Sequence, residues 1–443
     1  MGRSGQSVAR LLARKGFKVL GSDSRPRGDL KKDLKGLPKK VKWEGGGHSD
    51  RLLACSFVVK SPGLRPDLPI LKKLADKNIP VYSELEVALA FSKAKCVIAI
   101  TGTNGKSTTT ALTWQIFKAG LPRGRKAILG GNIGIPISTS APSAKAKDVL
   151  IVECSSYQLE DSRHCEPRAS AVLNVTADHL DHHGSMEAYL AAKAKVFREQ
   201  GPGDSCAFNA DDPIAYKMSR DCPSERLYFG TKGPHVHAWE EGGRLFFELP
   251  RWKKAVALLP PKLPGRHNLE NAMAAGLLAF ARGLKPAAVQ RAFKSFQGVE
   301  HRLEECGLVR GVRCVNDSKA TNVDSTLVAL KAFEPAGKKL LLILGGLHKG
   351  SPYAPLKPQI EKTVKGILTI GSAARRIEED LSGLAPIFPC GDLATAVDAA
   401  FRVAAKGDVL LLSPACASFD QFHDFEDRGR RFKELVKSAA KPR

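Results

Sequence analysis

Apolar positions along the chain follow two alternating rhythms. Short runs such as Val97 to Thr101, Val149 to Val152 and Leu340 to Leu344 are continuous, rich in β-branched residues or leucine, and bounded by glycine or polar residues. Runs of that length read as strands buried on both faces of a parallel sheet. Between them, apolar residues recur at three- and four-residue intervals, as in Leu112, Ile116 and Phe117, the spacing of one helix face. Strands alternating with helices predict an α/β chain with doubly wound parallel sheets.

Punctuation divides the pattern into three segments. Residues 1–94 open on a glycine turn and an amphipathic helix (Val8 to Gly16). A strand from Phe17 to Asp23 follows, with two more at Phe57–Lys60 and Val81–Glu86. This reads as the second half of a nucleotide-binding βαβ unit, with Asp23 about twenty residues past the glycines. The strand expected before Gly2 is not in the sequence, so either the start lies upstream or this domain is built without a central strand. Residues 95–297 form a central domain, in which 226–250 alternate like short antiparallel strands of an accessory sheet. Residues 298–443 predict a second doubly wound sheet, with a strand from Val312 that ends in the polar cluster before Asn322 and others at Leu340–Leu344, Gly366–Gly371 and Asp408–Leu412. A chain of 443 residues is too long for one core, which agrees with several domains.

The sharpest chemistry lies in Thr101-Gly102-Thr103-Asn104-Gly105-Lys106-Ser107-Thr108, set between a strand and a helix. Loop and helix N–H groups in that setting face phosphate oxygens, Lys106 adds a cation, and the Ser107 hydroxyl suits Mg²⁺. Only two residues separate Gly102 from Gly105, so the loop is shorter than the common phosphate-binding pattern. Glu153 and His179 are expected at the carboxyl ends of parallel strands, the edge where open α/β sheets bind ligands. Asn268 and Asn271 stand one helical turn apart. Lys193, by pattern alone, is a helix-surface lysine.

Charge and composition narrow the classes. Net charge is +24, and residues 1–95 hold 21 Lys and Arg against 9 Asp and Glu, half of the excess. The lysines are dispersed without interleaved aromatics or a recognition helix, so a solvated basic surface drawing in small anions is favoured over nucleic-acid binding. No apolar run is long enough to span a bilayer, and no signal peptide opens the chain. Ten cysteines without a C-x-x-C pair suggest reduced thiols in a cytoplasm.

Six stretches carry a resemblance: 101–108, Gly-Gly-Asn-Ile-Gly (130–134), Asn-Val-Thr-x-Asp-His-x-Asp (174–181), His-Asn-x-x-Asn (267–271), Asn-Asp-Ser-Lys-Ala-Thr-Asn (316–322) and Ser-Pro-Ala-Cys-Ala-Ser-Phe-Asp-Gln-Phe (413–422). In this order the chain resembles the Mur ligases along essentially its whole length, and the last two stretches look like their D-glutamate-adding members. The resemblance implies a Rossmann-like UDP-substrate domain, a central ATP-binding domain and a Rossmann-like amino-acid domain. It implies a cytoplasmic, monomeric peptidoglycan-precursor enzyme that joins D-glutamate to UDP-N-acetylmuramoyl-L-alanine through an acyl phosphate, with ATP and two Mg²⁺ ions. No nucleic-acid partner and no membrane insertion are implied.

By motif position, Gly102, Thr103, Asn104, Gly105, Lys106, Ser107, Thr108 and Asn132 would meet ATP phosphates. Asn268, Asn271, Arg302 and Asp317 fall at other ATP positions. Ser107, Glu153, His179 and a carbamylated Lys193 would hold metal. Lys106, His179, Lys193 and Lys319 would be catalytic. Thr321, Lys349, Ser418, Phe419 and Phe425 would line the D-glutamate pocket, and Ser4, Asp23, Ser24 and Arg25 would face the uridine diphosphate. Leu347 and His348 depart from the acidic-glycine form of their loop. A sister ligase or folylpolyglutamate synthase-like enzyme with another acceptor, and a catalytically silent ATP-binding protein, are the competing readings.

Overall fold

The computed structural model describes residues 1–263, 265–348, 350 and 352–440. The chain divides into two compact units: Met1–Lys262 with His267–Phe296, and Leu263–Arg266 with Gln297–Arg443.

The first unit opens with the helix Arg3–Arg14, which buries Val8, Ala9, Leu11, Leu12 and Ala13 as its spacing requires. Strands β1 (Leu20–Asp23), β2 (Lys42–Gly45), β3 (Val58–Lys60) and β4 (Val81–Ser83) follow. β1 pairs with β2 and β3 with β4, both in parallel, as two separate two-stranded sheets. A cleft of about 1250 Å³ runs along β1, β3 and the first helix, lined by Val8, Leu12, Val19, Leu20, Val58 and Val59 among others. Apolar contacts nevertheless join the two sheets, because Val8, Leu12 and Val87 pack against Val19, Phe57 and Val59.

Nine further strands build the main sheet of this unit: β5 (Cys96–Thr101), β6 (Ala127–Gly131), β7 (Val149–Glu153), β8 (Ala169–Val172), β9 (Ser205–Asn209), β10 (Glu225–Gly230), β11 (Ala238–Glu241), β12 (Arg244–Phe247) and β13 (Val256–Leu258). Their spatial order is β13-β12-β11-β10-β9-β8-β5-β7-β6. β5 is held in parallel between β7 and β8, so three carboxyl ends converge on one edge. Residues 226–250 do not form an accessory sheet. β10 pairs in parallel with both β9 and β11, and only the β11–β12–β13 pairings are antiparallel. The expected antiparallel pairing holds for β11 and β12, but alternation along a strand reports its buried face and not its partner, so the joining of these strands to the main sheet was not expected.

The second unit holds β14 (Glu304–Val309), β15 (Val312–Asn316), β16 (Leu340–Gly345), β17 (Val364–Ile370), β18 (Ile387–Gly391) and β19 (Val409–Leu412). Their order is β14-β15-β19-β16-β17-β18, parallel except for the antiparallel edge strand β14. Leu340, Leu342 and Leu344 face one apolar core, and Leu341 and Ile343 face the other. This is the two-sided burial that a continuous apolar run predicts. All ten cysteines are free thiols. No helix among the described residues is long and apolar enough to cross a membrane.

Candidate active site

β5 ends at Thr101, and the chain turns through Gly102 to Gly105 into the helix Lys106–Gly120. Gly105 has φ 84°, and a Cβ there would lie 2.3 Å from Asn271 Oδ1, so no other residue fits without displacing that amide. The strand after the loop's neighbour holds the turn in place. Thr103 N donates to Asn174 O (2.8 Å), Asn104 N to Asn174 Oδ1 (2.7 Å), and Asn174 Nδ2 returns a bond to Asn104 O (3.1 Å). Ser107 and Thr108 lie buried in the first helical turn, where backbone N–H groups and the helix dipole favour an anion. The Lys106 amine is folded back on its own loop, donating to Gly102 O (2.9 Å) and Thr103 O (2.8 Å).

Glu153 closes β7, buried, and its Oε1 accepts from Asn132 Nδ2 at 3.0 Å. The two motifs meet because β6 and β7 are parallel neighbours in register, Gly131 opposite Glu153. His179 lies seven residues past the end of β8. It caps the short helix Leu180–His183 in a left-handed conformation (φ 56°) and pairs through Nε2 with Asp178 Oδ2 at 3.3 Å. A histidine in that region carries backbone strain.

Lys193 is not a surface residue. It is 1% exposed, and its amine donates to Gly102 O at 2.9 Å, the same carbonyl that Lys106 uses. The amine also stands 4.5 Å from the centre of the Tyr189 ring. Among the described residues no carboxylate forms an ion pair with it. Desolvation first, and the nearby Lys106 charge second, push its pKa well below the usual lysine value. Asn271 turns its side chain toward the same loop, accepting from Thr109 Oγ1 (3.1 Å) and donating to Asn268 Oδ1 (3.2 Å). The first unit thus gathers Gly102–Thr108, Lys193 and Asn271 around one loop, with Asn132 and Glu153 on the neighbouring strand ends.

Of the four residues expected to face the uridine diphosphate, three line the cleft, and Arg25 instead bonds Asp23. Ser4, Asp23 and Ser24 line it. Burial would raise the Asp23 pKa, but bonds from Arg25 and the Met1 amino group outweigh that and hold it far below the usual carboxylate range.

In the second unit, Asp317 follows β15, buried, accepting from Ser413 Oγ (2.8 Å) and Leu303 N (3.2 Å). Desolvation raises its pKa to about 7, against the lowering effects of the Ser413 bond and the Arg302 charge. Lys319 lies 5.6 Å from the Phe425 ring centre. Thr321 is half-buried, Ser418 buried, and Phe419 is 68% exposed. Lys349 lies outside the described residues.

Three contributors were missed by sequence reasoning. Asn174 pins the phosphate loop, and its place in the quoted Asn-Val-Thr stretch was a usable signal. Tyr189 reads as ordinary helix core, yet its hydroxyl bonds Thr103 Oγ1 at 3.0 Å and its ring lies against Lys193. Arg428 reads as a helix-surface charge but is fully buried. It donates to Ser318 Oγ (3.0 Å), Ser318 O (2.9 Å) and Cys416 O (3.1 Å), tying the loop after β15 to the loop after β19.

The chain matches three family models in order: the Mur ligase MurD-like N-terminal domain over residues 1–83, the Mur ligase middle domain over 100–279 and the Mur ligase glutamate ligase domain over 301–416. It is 45% identical over 446 residues to a UDP-N-acetylmuramoylalanine–D-glutamate ligase of Elusimicrobium minutum, covering 99% of this chain and 96% of that protein. A protein of the same name from Anaeromyxobacter dehalogenans is 43% identical, over 100% and 97%. Among solved structures, the UDP-N-acetylmuramate-alanine ligase of Thermotoga maritima superposes with a TM-score of 0.61 at 20% identity, covering 99% of this chain and 97% of that one. A pseudomurein peptide ligase of Methanothermus fervidus gives 0.60 at 19%, covering 99% and 98%. These two structures speak for the fold alone. The end-to-end identity to the two ligases goes further: the chain belongs to the Mur ligase family, in its UDP-N-acetylmuramoylalanine–D-glutamate ligase group, and carries that family's N-terminal, middle and C-terminal α/β domains.

Proposed function

We propose that this chain joins D-glutamate to the alanyl carboxylate of UDP-N-acetylmuramoyl-L-alanine, with ATP cleaved to ADP and phosphate, as a step in peptidoglycan precursor synthesis. The observation that carries the reading is the Gly102–Thr108 loop, pinned by Asn174 beside a buried Glu153, in a chain 45% identical end to end to a ligase of that name.

A carboxylate is a poor acyl donor, so it first needs a leaving group. Its oxygen attacks the γ-phosphorus, the bond to the β-phosphate oxygen breaks, and ADP departs. The D-glutamate nitrogen then attacks the acyl carbon, inorganic phosphate leaves, and the amine gives up a proton. Two anions must meet in the first step, and cations lower that repulsion. Lys106 swings from its two carbonyl partners onto the phosphates, while Gly102, Thr103, Asn104, Gly105, Thr108 and Asn132 cradle their oxygens. Asn268, Asn271, Arg302 and Asp317 hold the rest of ATP.

The hydroxyl of Ser107 and the carboxylate of Glu153 would hold one Mg²⁺, and the imidazole of His179 would meet a second. Carbamylated Lys193 would add an anionic oxygen ligand. Carbamylation requires an uncharged amine, and the desolvated pocket of Lys193 favours that form. Held by these residues, Mg²⁺ would supply positive charge to offset that on the transferring phosphoryl group. Ser4, Asp23, Ser24 and Arg25 face the uridine diphosphate. Lys319, Thr321, Ser418, Phe419 and Phe425 position D-glutamate. On this reading the enzyme is a cytoplasmic monomer.

Phosphate release is the test, measured with ATP, UDP-N-acetylmuramoyl-L-alanine and one amino acid at a time. D-glutamate alone is expected to support turnover, and Lys106→Ala to lower it at least ~10²-fold. Preference for another acceptor amino acid would move the chain to a sister activity. Near-normal turnover in Lys106→Ala would overturn the loop's role.

A further inference from the structure

Behind the active site, the first unit holds a cluster that the ligase chemistry does not use. The helix Ser156–Glu160 brings Glu160 against two adjacent histidines from the helix Leu180–His183. Glu160 Oε2 lies 2.9 Å from His182 Nε2, and Glu160 Oε1 lies 3.3 Å from His183 Nδ1. One ligand atom from each of the three residues falls within 4.8 Å of the others. The side chains of His182 and His183 are 4% and 0% exposed.

The orientation of His183 is the telling feature. Its Nε2 is bonded to Ser156 Oγ at 3.0 Å, which fixes the ring. Its Nδ1 is buried, has no hydrogen-bond partner among the described residues, and faces Glu160. A ring held through one nitrogen while the other points at a carboxylate is how metal-binding histidines are prepared. Ligand atoms about 2.0–2.1 Å from a tetrahedral zinc stand roughly 3.3 Å apart. His182 Nε2 lies 2.9 Å from Glu160 Oε2, to which it is hydrogen-bonded, and His183 Nδ1 lies 3.3 Å from Oε1, so each histidine already stands near that edge length from one carboxylate oxygen. Two imidazoles beside one carboxylate favour Zn²⁺, whereas Mg²⁺ keeps mostly oxygen ligands and waters.

We infer that His182 Nε2, His183 Nδ1 and the Glu160 carboxylate form a Zn²⁺ site, separate from the Ser107–Glu153–His179 set. The Tyr157 ring separates it from His179, with centroids 4.7 Å from the His179 ring and 4.4 Å from the His182 ring. Lys60 competes for the same carboxylate, its amine 3.1 Å from Glu160 Oε2 and 2.9 Å from Asp161 Oδ2. When zinc takes Glu160, Lys60 keeps Asp161.

The test uses the full chain stripped with a chelator, titrated with Zn²⁺ against a chromophoric zinc chelator in excess Mg²⁺. One zinc per chain is expected, weakened at least ~10-fold by His182→Gln and by His183→Gln. X-ray absorption on the loaded protein is expected to show nitrogen and oxygen neighbours at about 2.0–2.1 Å and no sulfur shell near about 2.3 Å. Lys60→Met removes the competing cation and is expected to tighten zinc binding, a gain that misfolding would not produce. Unchanged affinity in His183→Gln, a sulfur shell, displacement by Mg²⁺, or zinc affinity not raised by Lys60→Met would each overturn the site.

Discussion

Two buried lysines in the first unit meet opposite surroundings. Lys60 ends β3 with its side chain 2% exposed, between the carboxylates of Glu160 and Asp161 at 3.1 and 2.9 Å. Lys193, 1% exposed, has a carbonyl, an aromatic face and a second lysine nearby, and its pKa is driven well below the ordinary value. Both leave water to the same degree. In the first case two carboxylates meet the amine, and the group is structural. In the second burial disfavours the charged form and no carboxylate among the described residues pairs with it, so its value lies in what the neutral form can react with.

The comparison sets an order of expected effects. Largest is the loss of turnover in Lys193→Ala, at least ~10²-fold if its carbamate helps place the cation at the acyl phosphate. The variant should still fold and bind ATP, with short carboxylates such as acetate partly restoring the rate. Steady-state kinetics with and without acetate check this, and full activity in the variant would break the contrast. Next is Lys60→Met, which leaves two largely buried carboxylates without their cation. A loss of about 3 kcal/mol is expected in urea unfolding, the lower end for one side of a buried pair because both acids keep some solvent contact.

Smaller still is the stability change in Lys193→Met, within about 1 kcal/mol at neutral pH, since one hydrogen bond is lost and no charge is stranded. The pH dependence carries a sign. With the folded pKa depressed, the unfolded chain binds one more proton between that value and the ordinary lysine pKa. Wild-type stability therefore rises with pH across that window relative to Lys193→Met. Equal slopes for the two proteins from neutral pH upward would contradict the depressed pKa. Asp317 shows the reverse sign. Its folded pKa of about 7 makes the folded chain the better proton binder above the ordinary carboxylate value. Stability then falls as pH rises from about 4 to about 7, and Asp317→Asn removes that component.

The phosphate loop was legible because its signal is contiguous: a buried strand, two glycines, Gly-Lys-Ser and a helix follow one another in the chain. Glu153 was legible for the same reason, as the acid that ends an apolar run. Lys193 was not. Its helix, Met186–Ala194, shows no strong apolar stripe, and what buries the lysine is the Gly102 turn 91 residues upstream. Only the family resemblance marked it. The strands of 226–250 and their antiparallel hairpin were seen, but the parallel pairing of β10 was not, because register and partner are decided by distant segments. Arg428 looks like any helix arginine until two loops are folded over it. Contacts made within a dozen residues leave a pattern in the sequence, whereas contacts made by closure of the sheet do not.

The central claim, that Lys193 is held as a neutral amine for reaction with CO₂, has a direct measurement. ¹³C NMR of the protein equilibrated with ¹³C-labelled bicarbonate should show one carbamate carbonyl resonance. That resonance should be absent from Lys193→Ala and retained in Lys60→Met, whose lost amine sits between two carboxylates. A spectrum identical in wild type and Lys193→Ala, with no carbamate signal to lose, would contradict it.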